Sequence, residues 1–458
     1  MEQIKVEVLV IGWGKGGKTL AGVLGRGGRR VAVVERSQHM YGGGCINIAC
    51  VPTKALVHSA ENRRETDDAQ RWFDRSVASR DALTAKLRAR NHAMLAEVDT
   101  VTLIDGEARF VGPNQVEVTA GADRLAVRAE TIIINTGSVP GRPSLPGATG
   151  PKVHDSETLQ HVRPLPRRLL VVGAGYVGLE FAGMFAHFGS HVTVVARGER
   201  VLPPEEPEVA TAVQAMLGES SVDFLVATEV ERIDDTGDEA VVTLTTADGS
   251  RQVGVDAVLF ATGRRPATDA LDLAAAGIES DDRGFVVVDE HLRTSVPGVF
   301  AVGDVNGGPQ FTYISLDDHR IVLDQLTGTG TRATSDRVAV PSTMFLTPPV
   351  SRVGMTLAQA KAEGRDVLVA TKNIADIAAM PRPKIVGETH GLITVVVDAA
   401  TDLVLGATVF SVDSQEVINL LALAMRAGVT ASALRDGIWT HPSSTEALNE
   451  VLGALHPA

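Results

Sequence analysis

An α/β fold, built from two strand–turn–helix–strand units and a separate C-terminal α+β domain, is predicted from three observations. The glycine pattern G-x-G-x-x-G occurs at Gly12, Gly14 and Gly17, and again at Gly173, Gly175 and Gly178, at a constant offset of 161 residues. Each copy follows a short apolar run, opens a helix-length stretch and ends in a second apolar run. From about Val338 the pattern changes to separated strands and one apolar helix without such glycines. A single fingerprint of this kind is weak evidence, but two with the same strand and helix context read as Rossmann-like dinucleotide-binding domains.

In chain order, Val8 to Ile11 forms the first strand. Gly12 permits the tight turn, Gly14 lets backbone approach a pyrophosphate, and Gly17 allows close packing of helix on strand, with the phosphate charge at the helix N-terminus. Val31 to Val34 is the second strand and leads into Glu35, placed to accept hydrogen bonds from a ribose diol, as suits the adenosine half of FAD or NAD. Residues 41 to 54 read YGGGCINIACVPTK. Gly43 and Gly44 invite close backbone approach to a ligand just before Cys45 and Cys50. From Cys50 the spacing is helical, which puts Lys54 and then His58 on its face, and a thiol at a helix N-terminus near a lysine is acidified. Ser59 to Val98 is helical and charged and is expected to form solvated surface helices.

Thr131 to Gly137, TIIINTG, is a buried strand ending in the Thr136-Gly137 turn that closes the first domain. Leu169 to Val172 and Val192 to Val195 repeat the opening strands, and Ala257 to Gly263, AVLFATG, closes the second domain. Val299 to Asp304, VFAVGD, is a further strand with a carboxylate at its C-terminal end, where open α/β sheets collect ligands. GLITVVVD and LVLGATVF are strands of the last domain, and Gln415 to Ala427 is its apolar helix.

Composition narrows the function. The 458 residues include 43 Lys and Arg against 56 Asp and Glu, a net charge of −13 without a long basic run, so nucleic acid and anionic membrane are poor partners. The opening MEQIKVEVLVIG lacks signal-peptide character and no apolar run is long enough to span a membrane, so a cytoplasmic location is expected. The two cysteines are far too few for a disulfide scaffold, and in a reducing compartment such a close pair suggests chemistry.

The double fingerprint, the C-x4-C pair with VPTK, the ATG turn, the VGD segment and the terminal HPSSTE together resemble the pyridine nucleotide-disulfide oxidoreductases over essentially the whole chain. Within that family, GKGGKTLA, MYGGGCINIAC, QFTYISLDDHRIV and TPPVSRVGMT resemble the reactive-chlorine-resistance flavoproteins, a copper(II) reductase type. The resemblance implies an FAD-binding domain over 1–148 and 266–337, an NAD(P)-binding domain over 149–265 and a dimerisation domain over 338–458. It implies that Gly12, Gly14, Gly17, Glu35, Lys54 and Asp304 bind FAD, with Lys54 paired to Glu180. Gly173, Gly175 and Gly178 match the nicotinamide-dinucleotide site and Tyr176 the aromatic gate over the flavin. Cys50 becomes the flavin-side thiolate and Cys45 the outer thiol. His441 and Glu446 match an acid/base pair that reaches the thiols of the other subunit of a homodimer.

Two departures bear on flavin affinity and redox poise: Gly44 stands where the family has a pyrophosphate-bonding Thr, and Ala49 where it has Gly. The absence of further cysteines argues against mercury as the dedicated substrate. The position 161 residues beyond Glu35 is Ala196, followed by Arg197 and Arg200, which predicts NADPH used at least as well as NADH; the alternative is that these arginines are solvated loop charges. The resemblance implies an enzyme that passes electrons from NAD(P)H through FAD and a Cys45–Cys50 disulfide to a thiophilic acceptor, Cu(II) first. The alternatives are a small disulfide or dihydrolipoamide as substrate, or a redox sensor without turnover. A transient metal ion is expected on Cys45 and Cys50, with His441 or, more weakly, His58 as a further ligand. Phe311, Tyr313 and Ile314 are read either as a gate to the thiols or as packing under the flavin.

Overall fold

A computed structural model describes residues 2–458, which divide into two compact units. Of the described residues, the first unit comprises 2–56, 75–141 and 263–336, and the second 57–74, 142–262 and 337–458.

In the first unit a central strand, Glu2–Ile11, pairs in parallel with Val31–Glu35 on one side and Asp123–Ile134 on the other, and Val299–Ala301 adds to the latter. Side chains alternate across this sheet, so Val8 and Val10 enter one apolar layer while Leu9 and Ile11 enter the other. Burial on both faces explains why these strands are continuous runs of Val, Ile and Leu. The register sets Ile11 opposite Val34 and Ile134, and Ile134 opposite Ala301. The residues that follow, Gly12, Glu35, Asn135 and Val302, therefore emerge together at the C-terminal edge of the sheet.

The second unit repeats this in a parallel sheet, where Val172 lies opposite Val195 and Phe260. Gly173, Ala196 and Ala261 emerge there as their counterparts do. Glu229–Asp235, Ala240–Thr246 and Gly249–Val255 form an antiparallel meander. Residues 337–458 form a six-stranded antiparallel sheet, including Val404–Phe410 and Leu392–Asp398 at its centre, with the helix Ser414–Ala427 packed on it through Val417, Ile418 and Leu421. Among the described residues no helix is long and apolar enough to cross a membrane.

The expectation of solvated helices over 59–98 needs correction. The stretch holds the end of a helix Cys50–Glu61 and a second helix Ala69–Ala96, and the latter buries Phe73, Val77, Arg80, Thr84, Asn91 and Leu95. These positions lie three, four or seven residues apart and so form one stripe. Half of that stripe is polar, which is why hydropathy alone read it as surface.

Candidate active site

In the first unit, Gly12 follows the first strand at φ +94°, and a Cβ there would lie 2.5 Å from the Asn135 carbonyl oxygen. Gly14 begins the helix Lys15–Arg26 with no side-chain cap, so the positive end of the helix dipole faces the turn and favours an anion there. Gly17 donates its N–H to Asn135 Oδ1 at 2.9 Å, and Gly16 donates to Ser315 Oγ at 3.0 Å. Glu35 is buried and accepts from the backbone of Trp13 and of Ser37, both at 3.1 Å. Burial pushes its carboxyl above the ordinary range, and these hydrogen bonds oppose the shift. The Gly42–Gly44 loop closes the cradle, since a Cβ on Gly43 would come within 2.8 Å of Gly14 Cα. The Trp13 indole N–H and the Thr136 hydroxyl are buried without a partner among the described residues. A glycine-lined turn, a buried carboxylate and orphaned polar atoms at one sheet edge fit a dinucleotide.

Asp304 follows the strand Val299–Ala301 and accepts from the Ser138 hydroxyl at 2.7 Å, and Arg264 Nε donates to that hydroxyl at 2.7 Å. Gly137, at φ +74°, makes the turn between Thr136 and Ser138. Gly263 was expected with the second nucleotide site. It stands at the boundary of the two units, where its carbonyl accepts from Gly141 N–H at 2.9 Å and the following Arg264–Pro266 pairs with Ser138–Pro140.

The two cysteines are free thiols, Cys45 in the short helix Gly44–Asn47 and Cys50 at the start of Cys50–Glu61. Cys50 is lowered to about 6, chiefly by the hydrogen bond from the Cys45 thiol; burial opposes this, while the Thr312 hydroxyl, at 3.5 Å, and the charge of Lys54 assist. Cys45 is pushed up by the same hydrogen bond and by burial. One sulfur is thus poised as thiolate and the other as thiol. The loop that carries them is tethered: Asn47 Nδ2 donates to the carbonyls of Tyr41 and Gly43 at 3.0 and 2.9 Å, and Arg88 Nε donates to Asn47 Oδ1 at 2.8 Å. Phe311 and Tyr313 stack at 5.1 Å, and Tyr313 is pushed up to about 12 by burial and by the nearby Cys50 charge. Ile314 is buried and packs inward, so only the two aromatic rings remain candidates for a gate.

In the second unit, Gly173 turns at φ +113° and a Cβ on Gly178 would sit 1.9 Å from the Gly173 carbonyl oxygen. Gly175 precedes the helix Tyr176–Phe188. The Tyr176 hydroxyl is hydrogen-bonded to Glu205, a carboxylate that also lies 3.5 Å from Arg352 Nη1. Glu180 is buried and accepts from Phe345 N–H at 2.8 Å. Arg197 is exposed beyond Ala196, whereas Arg200 is spent on the chain itself, donating to the carbonyls of Glu205 at 2.9 Å and Pro203 at 2.6 Å. His58 is exposed and holds Glu61 at 2.8 Å. His441 Nδ1 lies 2.8 Å from Glu446 Oε1, and Ser443 N–H donates to Glu446 Oε2 at 2.8 Å. The ring is exposed, so Nε2 is presented outward. Although burial opposes it, those two bonds hold the Glu446 carboxyl below its ordinary range. Among the described residues no group of three or more His, Cys, Asp or Glu side chains could hold a metal ion.

Four participants were missed from sequence. Asn135, Thr312 and Glu205 carry no motif of their own, and Lys18 stood inside GKGGKTLA without a role.

The pyridine nucleotide-disulphide oxidoreductase family model matches residues 6–318, and the dimerisation domain of the same family matches 340–452. A probable pyridine nucleotide-disulfide oxidoreductase, RclA of Escherichia coli K12, is 43% identical over 452 residues, covering 98% of this chain and 99% of that protein. A mercuric reductase of Lysinibacillus sphaericus is 32% identical over 453 residues, covering 96% of this chain and 81% of the relative. The Cu(II) complex of the HOCl-induced flavoprotein disulfide reductase RclA from Escherichia coli superposes with a TM-score of 0.93 at 42% identity, covering 98% of this chain and 99% of that one.

Proposed function

Because this chain belongs to the pyridine nucleotide-disulphide oxidoreductases, FAD-dependent enzymes that take electrons from NAD(P)H, we propose that Cys45 and Cys50 form its redox-active disulfide and deliver electrons to a thiophilic acceptor, Cu(II) foremost, in defence against reactive chlorine and metal stress. The observation that carries this is the thiol pair itself: Cys50 acidified to about 6 beside a protonated Cys45, on a tethered glycine loop. Bound FAD supplies the two-electron link between the nicotinamide and the thiols. The residues proposed to hold it are Gly12, Gly14, Gly17, Glu35, Gly43, Gly44, Lys54, Thr136, Gly137 and Asp304.

Reduction breaks the Cys45–Cys50 bond with two electrons, leaving Cys50 as thiolate and a proton on Cys45. In the acceptor step the two sulfurs re-form their bond, two Cu(II) ions each gain one electron to become Cu(I), and the Cys45 proton leaves to solvent. Thiolates are soft ligands that favour Cu(I), and the chain has no further cysteine with which to relay mercury. The related flavoprotein solved as a Cu(II) complex supports the same acceptor. NAD(P)H is proposed to lie on Gly173, Gly175 and Gly178, at the start of the helix that carries Tyr176 and Glu180. Arg197 remains as the guanidinium for a 2′-phosphate, and the bonds of Arg200 weaken its share in that role.

A second reading, reduction of a small disulfide, is favoured by the His441–Glu446 pair, whose outward Nε2 suits proton transfer to a leaving thiolate across a homodimer. The dimerisation-domain match over 340–452 supports that assembly, and we keep 338–458 as the interface domain and 149–265 as the coenzyme domain. Steady-state NAD(P)H oxidation with Cu(II), Hg(II), glutathione disulfide and lipoamide tests the choice. Cu(II) should give the highest kcat/KM; disulfide turnover at about 10⁴ M⁻¹s⁻¹ or more with Cu(II) inert would reverse it. Arrest after about one equivalent of coenzyme with every acceptor would mark a sensor.

A further inference from the structure

Lys18 is a buried lysine with no carboxylate. It is 8% exposed, and its ammonium donates to the Gly42 carbonyl at 3.0 Å and to Asn91 Oδ1 at 2.5 Å. An ammonium has three N–H donors, so one of them has no acceptor among the described residues. Both acceptors are neutral, and burial, joined by repulsion from Lys15, drags the lysine down to about 8. A buried cation held by neutral acceptors beside a second cation is costly unless an anion completes it.

The place of the charge identifies that anion. Lys18 is the fourth residue of the helix Lys15–Arg26, whose N-terminus lies in the first fingerprint, and Gly42 begins the loop whose Gly43 packs on Gly14. The ammonium thus ties together the two glycine segments that form the nucleotide cradle. The threonine hydroxyl that the family places before the first cysteine is missing here, because that position is Gly44. Cys45 is the other acidic group within electrostatic reach, but its sulfur is neutral both as a disulfide and as the protonated thiol. Asn91 holds the ammonium in place from the helix Ala69–Ala96, itself anchored by its Nδ2 donating to the Leu87 carbonyl at 2.8 Å.

We propose that Lys18 is the fixed counter-charge for the diphosphate of bound FAD, replacing through charge the hydroxyl lost at Gly44. The inference rests on the chain's dependence on FAD and is independent of which acceptor it reduces.

The test uses the purified full-length holoenzyme and follows FAD release by the recovery of free-flavin fluorescence after dilution, at low and high salt. Lys18→Met and Lys18→Gln should both release FAD faster, on the order of 10- to 100-fold, as for loss of one charge-assisted hydrogen bond. Both should show a weaker salt dependence than the parent. Lys18→Gln keeps a donor for Gly42 and removes only the charge, so parent-like retention of FAD by Lys18→Gln would overturn the proposal in favour of a loop clamp. Asn91→Ala leaves the charge and should change release by less than about 3-fold; release as fast as in Lys18→Met would likewise overturn it. A Lys18→Gln chain recovered only as aggregate despite excess flavin would assign Lys18 to folding and overturn it too. Acceptor preference plays no part in these outcomes, so failure here leaves the Cu(II) reading standing, and the reverse.

Discussion

The two fingerprint turns share one backbone plan and differ at the positions that meet charge. At the end of the second strand Glu35 in the first copy corresponds to Ala196 in the second, and at the fourth helix residue the buried Lys18 corresponds to the buried Leu179. Glycines at equivalent sites keep the same steric duties: a Cβ would meet a neighbouring carbonyl oxygen at 2.5 Å from Gly12 and at 2.6 Å from Gly173. Geometry is therefore inherited from the repeat, while ligand choice is written in a few side chains around it. The first copy carries a buried carboxylate, a buried cation and the thiols; the second carries neither acid nor cation at those places and leaves Arg197 exposed.

The comparison is broken most severely through the thiols, which only the first unit possesses. Cys50→Ser should reduce turnover with Cu(II) and with disulfides to background and abolish the long-wavelength charge-transfer absorbance of the two-electron-reduced enzyme. Cys45→Ser should keep a thiolate facing the flavin and hence keep that band in the oxidised enzyme. Equal spectra for the two variants would contradict the assigned order of the sulfurs.

His441→Ala, in the second unit, separates acceptors. Disulfide reduction should fall by about 10²- to 10⁴-fold, the usual worth of a positioned acid, while Cu(II) reduction changes little. Steady-state rates with both acceptors check this, and unchanged disulfide turnover would show that the His441–Glu446 pair has another purpose.

Restoring the missing carboxylate sharpens the contrast between the turns. Ala196→Glu should shift the kcat/KM ratio toward NADH by about 10- to 100-fold, because a carboxylate repels a 2′-phosphate and accepts from a free ribose hydroxyl. An unaltered ratio would mean that the end of the second strand does not read the coenzyme.

The smallest effect is on pH. In the reduced enzyme the charge-transfer band should grow as pH rises through about 6, where Cys50 ionises. An unfolded cysteine titrates near about 8.5. The folded value is lowered, so the Cys50 thiolate stabilises the reduced fold fully above that pH, and the stabilisation is lost as pH falls through about 6. Thr312→Val should move the midpoint of the band upward, since it deletes the hydroxyl 3.5 Å from the sulfur.

Much of this was legible without coordinates because it is local. The steric demands of Gly12 and Gly173, the strand runs on either side of them and the helix beginning at Cys50 all act within a few residues, whereas the pairing of His441 with Glu446 was legible only through the family resemblance. Spacing and residue type report such features directly. Sequence was weakest where a polar residue occupies an interior stripe. Arg80, Thr84 and Asn91 on Ala69–Ala96 read as surface, yet they are buried. Arg200 read as a free guanidinium, yet it caps backbone carbonyls of its own loop.

By itself, then, the sequence determined the two nucleotide folds, the family, the thiol pair and the residues at the ends of the strands, since each depends on periodicity and on glycine sterics within one short segment. Tertiary structure alone decided which distant groups meet. Asn135 takes the Gly17 N–H across 118 residues, and Thr312 reaches Cys50 across 262. It likewise decided that the Gly263 carbonyl meets Gly141 N–H and that Lys18, polar and unremarked in its helix, lies buried against Gly42 and Asn91. The reason is that sheet register and helix packing place side chains by the geometry of the whole unit, and hydropathy along the chain carries no record of the partner that makes burial of a charge tolerable.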